Sequence, residues 1–400
     1  MNPGTPTPPQ RPRQLLPIIV GSQFAGTSLW FAGNAVAGEI QQRFGLQDDA
    51  VSHLTSAVQL GFIAGTLVFA VFNLSDRFAA RRVFFLCSLL GALANAAVFA
   101  ADGLETLLLC RFAVGFFLAG IYPVGMKIAA SWYDSGLGQA LGFLVGALVA
   151  GTAFPHLLRS FGGQLSWEVV LTATSSLAVL GGVLILFGVT DGPFLPSQSK
   201  FEPRALFIAF RSPDFRSSAF GYFGHMWELY SFWAFAPFWI AMYSRRHGIE
   251  LNASWWTFLI IAAGSVGCVG GGLASQRWGS GRVAAAGLAT STACCFLSPL
   301  VAFYAPPPVF LSVLILWGVA VVGDSPQFST INARTAPRQY VGSALTIVNS
   351  IGFLISIPSL QLTGWLAHNL DDRFLFVQLG VGPLLGAISL RSLLKRRPGF

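Results

Sequence analysis

Charge is what this sequence has least of. Of its 400 residues, 24 are Lys or Arg and 16 are Asp or Glu, a share of 10% where a water-soluble domain carries roughly 25%. Polar surface on that scale does not cover a chain of this length in water, so a soluble globular fold is excluded and lipid is the expected solvent. Cysteine is also sparse. Cys87, Cys110, Cys268, Cys294 and Cys295 all fall in apolar stretches, with neither metal-ligand spacing nor the pattern of a disulfide framework. The five histidines, His53, His156, His225, His247 and His368, show no ligand spacing either. P-loop, H-E-x-x-H and G-x-S-x-G segments are missing, which leaves no basis for a metal, a cofactor, ATP hydrolysis or an enzyme within these residues.

What is present is apolar: 54% hydrophobic residues, with 36 Phe and 44 Gly, a composition suited to close helix packing in a bilayer. A helix needs about 20 mostly apolar residues to cross the hydrocarbon. Twelve such spans are expected, near 15–37, 51–74, 83–100, 106–131, 138–158, 167–188, 217–243, 254–275, 283–304, 309–332, 341–364 and 374–393. The expected fold is therefore an all-α integral membrane protein of two six-helix bundles, 14–188 and 217–393. They are joined by a polar linker at 189–216 and flanked by a Pro-rich disordered tail (1–13) and a basic tail (394–400). No small-residue cleavage site follows the first apolar run, so a removable signal peptide is not expected.

The formal net charge is +8, yet the basic residues lie mostly in short runs between spans, which is the positive-inside pattern and not a nucleic-acid surface. With the N-terminus in the cytoplasm, seventeen Lys and Arg fall on the cytoplasmic side and five on the other. Both termini are thus expected in the cytoplasm, with the chain multi-pass in the plasma (inner) membrane. Arg111 and Lys127 remain, both inside the fourth span.

The halves repeat. Gly115 and Gly318, Gly120 and Gly323, Pro123 and Pro326, Pro155 and Pro358, Ser28 and Ser231, and Trp30 and Trp233 are each 203 residues apart. Six matches at one offset point to duplication, and internal repeats of this kind recur in secondary transporters.

The loop after the second span, "NLSDRFAARR" (73–82), resembles the cytoplasmic loop motif of the major facilitator superfamily through Leu74, Asp76, Arg77, Arg81 and Arg82. Phe72 and Ala79 stand where that motif has glycines. A second copy, "GGLASQRWGSGR" (271–282), matches at Gly271, Leu273, Arg277, Gly279 and Arg282, with Ser275 at the Asp position. Arg111 and Gly115 are similar to the family's R-x-x-x-G pattern on the fourth helix. "GIYPVGMK" and "SAVQLGF" loosely resemble bacterial nitrate/nitrite and cyanate porter-like members, although the glycine-rich nitrate signature is missing from spans 5 and 11. The resemblance implies a secondary transporter working by alternating access, with Asp76, Arg77, Arg81 and Arg277 in conformational gating.

Candidate substrate contacts follow from polar and aromatic residues inside the spans. Arg111 and Tyr122 lie eleven residues apart, within about 20° of one helix face, and a guanidinium holds an oxyanion through paired hydrogen bonds. Asn34, Gln59, Gln327 and Asn349 add neutral hydrogen-bonding groups, and Trp30 and Trp233 are candidate cavity walls. Lys127 is placed to reach water or to pair with Asp76 or Asp134. Glu228, Asp324 and His225 are intramembrane titratable groups, the residue types that serve as proton sites in transporters. Pro123, Pro155, Pro326 and Pro358 are expected to bend their helices. The expected function is transport of a small organic or inorganic anion with protons as coupling ion, by a monomer in the lipid bilayer. A multidrug or hydrophobic-solute/proton antiporter of the same fold is the alternative.

Overall fold

The computed structural model describes residues 12–47, 49–133, 137–161, 165–194, 201–369 and 371–396. Residues 1–11 of the expected N-terminal tail, residues 397–400 of the basic tail and Asp134 lie outside them.

Every regular element among the described residues is helical. The first half comprises α1 (Leu15–Thr27), α2 (Ala32–Ala35), α3 (Ala37–Phe44), α4 (Ala50–Val71), α5 (Leu74–Arg77), α6 (Ala80–Ala96), α7 (Leu104–Leu118), α8 (Tyr122–Ala130), α9 (Leu137–Ser160) and α10 (Trp167–Gly188). A short α11 (Ala205–Ala209) lies in the linker. The second half comprises α12 (Pro213–His247), α13 (Ala253–Trp278), α14 (Ser280–Tyr304), α15 (Pro307–Gly323), α16 (Ser325–Thr335), α17 (Val341–Asn369) and α18 (Val381–Arg396).

Among the described residues, ten helical stretches are long and apolar enough to cross a membrane. The other two expected spans depart from that standard for different reasons. Residues 15–37 do not form one helix. Thr27 Oγ1 donates to the Gln23 carbonyl at 2.8 Å and Ser28 Oγ to the Ala25 carbonyl at 2.7 Å, side-chain bonds that compete with the backbone ladder, and the chain breaks over residues 28–31. The seventh span is longer than expected at 35 residues but is diluted by Gly, Tyr, His, Glu and Ser. It starts inside the expected linker because Ser212 accepts from the Phe215 N–H and Pro213 occupies the first turn, both favourable at a helix start.

The fourth and tenth spans break at equivalent places. α7 gives way to α8 over residues 119–121, and α15 to α16 at Asp324. Pro123 and Pro326, 203 residues apart, sit in the first turn after each break, where a residue without an N–H costs the helix nothing. Pro155 and Pro358 lie inside unbroken α9 and α17.

The repeated glycines explain the packing. A Cβ on Gly115 would stand 2.0 Å from the Val58 carbonyl oxygen, and one on Gly318 would stand 2.1 Å from that of Ile260. Backbone thus lies directly on backbone where α7 crosses α4 and where α15 crosses α13, an approach that only glycine permits.

The halves meet along α9–α13 and α4–α17. Their polar links lie at mid-height and towards the face opposite the chain termini. Ser265 Oγ donates to the Gly146 carbonyl (2.8 Å), Gln361 Nε2 to Ser56 Oγ (2.8 Å) and Asn252 Nδ2 to the Ser160 carbonyl (2.7 Å). On the termini face the halves part around a cavity. The protein is closed on the far face and open on the termini face.

Candidate functional site

Three groups of side chains occupy the middle of the bundle. The first belongs to the N-terminal half. Arg111 on α7 is 2% exposed. Its Nη2 donates to the Trp30 carbonyl at 2.6 Å and its Nη1 to Asn95 Oδ1 at 3.2 Å. Nη1 and Nη2 also reach the Leu29 carbonyl, at 3.5 and 3.4 Å respectively. Its partners are therefore the carbonyls left by the break after α1, plus one amide. Asn95 is fixed in turn by the Leu171 carbonyl (3.2 Å), Thr174 Oγ1 (3.3 Å) and Ser175 Oγ (3.0 Å) of α10. The break before α8 also interrupts the helix face expected to align Arg111 with Tyr122. Tyr122 itself opens α8 and is half-buried.

The second group belongs to the C-terminal half. His225 Nδ1 on α12 lies 2.8 Å from Asp324 Oδ1 at the α15–α16 break, with both side chains 1% exposed. One turn along α12, Glu228 accepts from the indole N–H of Trp317 and from the Cys295 thiol, the latter at 3.6 Å. All three expected proton sites thus stand together, and helix periodicity anticipated part of this, since 225 and 228 share a face. Their meeting with Asp324, and the partners Trp317 and Cys295, were not visible in the sequence: a tryptophan and a cysteine in apolar spans read as packing.

The third group joins the halves. Trp30 stacks at 5.8 Å on Tyr230 and on Phe353 and lies 4.9 Å from Phe62. Phe31 meets Trp233 edge-on at 6.0 Å. Trp30 and Trp233 are each 1% exposed, so in this conformation they form an aromatic seal between the halves and not the wall of an open cavity. Gln59, one turn from Phe62 on α4, is fully buried and neither of its amide atoms has a partner among the described residues. Asn349 is half-buried on α17, one turn before Phe353. Asn34 lies apart and donates to Thr55 Oγ1 at 2.7 Å.

Below the seal, on the termini face, a cavity of about 870 Å³ lies between α9 of the first half and α13, α14 and α16 of the second. Gln139, Cys268, Gln327, Arg277, Arg282 and Arg334 line it, with no Asp or Glu among its described lining residues. Of the expected substrate contacts, Gln327 faces this space, one turn from Asp324. A second pocket of about 190 Å³ is bounded by Asp76, Pro123, Phe201 and Ser343. Beside it, Lys127 pairs with Asp76 and donates to the Ser75 carbonyl, one of the pairings open to it. Arg77 is exposed, and Arg81 lies in the first turn of α6.

Two pseudo-repeated helical halves around a cavity open to one face define a multi-pass membrane carrier. The sequence profile of the Major Facilitator Superfamily matches residues 18–360, and the chain belongs to that superfamily; it is a transporter and not an enzyme. It is 27% identical over 206 residues to the MFS-type transporter acdC of Aspergillus candidus, covering 49% of this chain and 40% of that protein. It is 28% identical over 184 residues to the probable nitrate/nitrite antiporter NarK1 of Thermus thermophilus, covering 43% and 41%. The chain therefore matches about two fifths of the length of these relatives. In fold it is similar to a bacterial homologue of the lysosomal transporter Spinster, with a TM-score of 0.70 at 16% identity over 96% of this chain and 97% of that one. It is also similar to the proton:xylose symporter XylE, with a TM-score of 0.72 at 14% identity over 95% and 96%.

Proposed function

We propose that this transporter moves a small anion by alternating access, coupled to protons carried by its second half. The observation behind this reading is the composition of the large cavity. Arg277, Arg282 and Arg334 stand among the described residues that line it, and a cleft with an excess of one charge sign raises the local concentration of the opposite ion. The termini face is assigned to the cytoplasm of the inner membrane, in keeping with its excess of Lys and Arg, which makes the conformation inward-open. Gln327 links the cavity wall to Asp324, so an anion in the cavity and a proton on Asp324, His225 or Glu228 bias one and the same opening equilibrium. The relative named as a nitrate/nitrite antiporter carries anions by its name, and the structural neighbour XylE is named a proton symporter; both fit this reading. Asp76 pairs with Lys127 of its own half, and we assign this loop, with Arg77, Arg81 and Arg277, to a gate that meets the other half when the cytoplasmic side closes.

One observation favours a second reading. The aromatic cluster of Trp30, Phe62, Tyr230 and Phe353 would suit an apolar cation, as in a multidrug/proton antiporter. A melting-temperature screen of the purified protein separates the two, because a solute that binds the folded state stabilises it in proportion to occupancy. Nitrate or succinate is expected to stabilise it, with the effect lost in the double variant Arg277→Gln/Arg334→Gln. Stabilisation by tetraphenylphosphonium alone, lost in Asp324→Asn, would transfer the protein to the drug class.

A further inference from the structure

We infer that Arg111 is a positioning residue. It pins the break in the first span and so holds Trp30 in the aromatic seal that closes the far face. This inference is independent of which solute is carried.

The break over residues 28–31 leaves backbone carbonyls without helical donors. In an apolar interior each unsatisfied group costs about 1–3 kcal/mol, so a broken span needs donors from elsewhere. Arg111 provides them, with Trp30 O at 2.6 Å and Leu29 O at 3.4 Å. A guanidinium suits this place because its donors are set in a fixed planar fork and stay charged, whereas an ammonium is a single strongly hydrated point. The approach is close on both sides. A Cβ on Gly33, just past the break, would stand 3.1 Å from Arg111 Nε. Behind the guanidinium, Asn95 receives Nη1 and is itself tied to three acceptors on α10. A strut therefore runs from α10 through Asn95 and Arg111 to the backbone of Trp30.

That same residue carries the ring at the centre of the seal. Tyr230 and Phe353, both stacked on Trp30, belong to the opposite half, and Phe31 extends the contact to Trp233. A carbonyl held at one end and a ring stacked at the other leave Trp30 little freedom. In the second half no strut is needed: α12 runs unbroken through Trp233, and Leu314 stands 203 residues after Arg111.

The test is labelling of a cysteine buried where the halves close on the far-face side of the seal. Ser56 is 5% exposed and accepts from Gln361 across the halves, so in Ser56→Cys the thiol becomes reachable when the far face opens. The full chain in nanodiscs is treated with a membrane-impermeant maleimide, and the parent protein corrects for its native cysteines. Arg111→Gln is expected to raise the labelling rate about tenfold, the scale set by one lost hydrogen bond to a charged group. Trp30→Ala is expected to do the same. The double variant should label no faster than Trp30→Ala alone, because both changes act through one contact. Wild-type labelling in a monodisperse Arg111→Gln protein, or full additivity in the double variant, overturns the inference. If Arg111→Gln does not fold, Gly33→Ala, which presses a methyl group on the guanidinium, must raise labelling several-fold; no change there overturns the inference equally.

Discussion

In the first half a buried arginine is ringed by carbonyl oxygens and an amide; in the second a buried histidine pairs with Asp324, and Glu228 follows one turn along the same helix. The halves share their packing, with Gly115 and Gly318 admitting a neighbouring backbone and Pro123 and Pro326 following a break. They differ in what they do with charge. Arg111 is held by groups that do not titrate, so its arrangement is fixed. His225, Asp324 and Glu228 are titratable groups, and on the proposed reading their protonation sets the state of their half. The two halves keep one scaffold, and the proposed coupling chemistry falls on one side of it.

This contrast can be broken in a graded way. The largest effect is expected where the halves are alike. Gly115→Val and Gly318→Val each drive a side chain into a backbone oxygen about 2 Å away, and each should cost at least the roughly 1–3 kcal/mol of overpacking. Both should melt markedly earlier in detergent, by similar amounts; tolerance at one site alone would deny the shared packing role. Next comes Asn95→Leu, which strips Arg111 of one acceptor and leaves groups on α10 unpaired. A loss of about 1–3 kcal/mol is expected, with pH-driven transport retained. Glu228→Gln should behave oppositely, with a nearly unchanged melting temperature and transport that no longer responds to a pH gradient while exchange persists. Trp317→Phe is the mildest. It keeps the 4.2 Å stack on Phe232 and removes only the N–H donated to Glu228, so coupled transport should slow several-fold with the fold intact.

The sequence made the architecture legible because membrane helices declare themselves through length and hydropathy, and the 203-residue offset exposed the repeat. It singled out His225, Glu228 and Asp324 as candidates because ionisable residues are rare in such spans. It could not reveal where they meet, since 225 and 324 are joined only by tertiary packing. The helix face drawn from Arg111 to Tyr122 failed for a local reason: a continuous period was assumed across a Gly-x-x-Pro segment that breaks it. Trp30 and Trp233 were legible as equivalent residues but not as a seal, because stacking on Tyr230 and Phe353 depends on how the halves close. The arginine-lined cavity was partly legible: Arg277 and Arg282 belong to the second loop motif, whereas Arg334 carried no signal beyond its charge.

The division of labour between the halves is tested most directly in proteoliposomes, by following accumulation of the anion that raises the melting temperature under an imposed pH gradient. Asp324→Asn and Arg111→Gln are compared with the parent protein. Asp324→Asn should lose gradient-driven accumulation and keep exchange, while Arg111→Gln should still respond to the gradient despite a leaking far face. Gradient-driven accumulation at the parent level in Asp324→Asn, or equal loss of the response in both variants, would contradict the account.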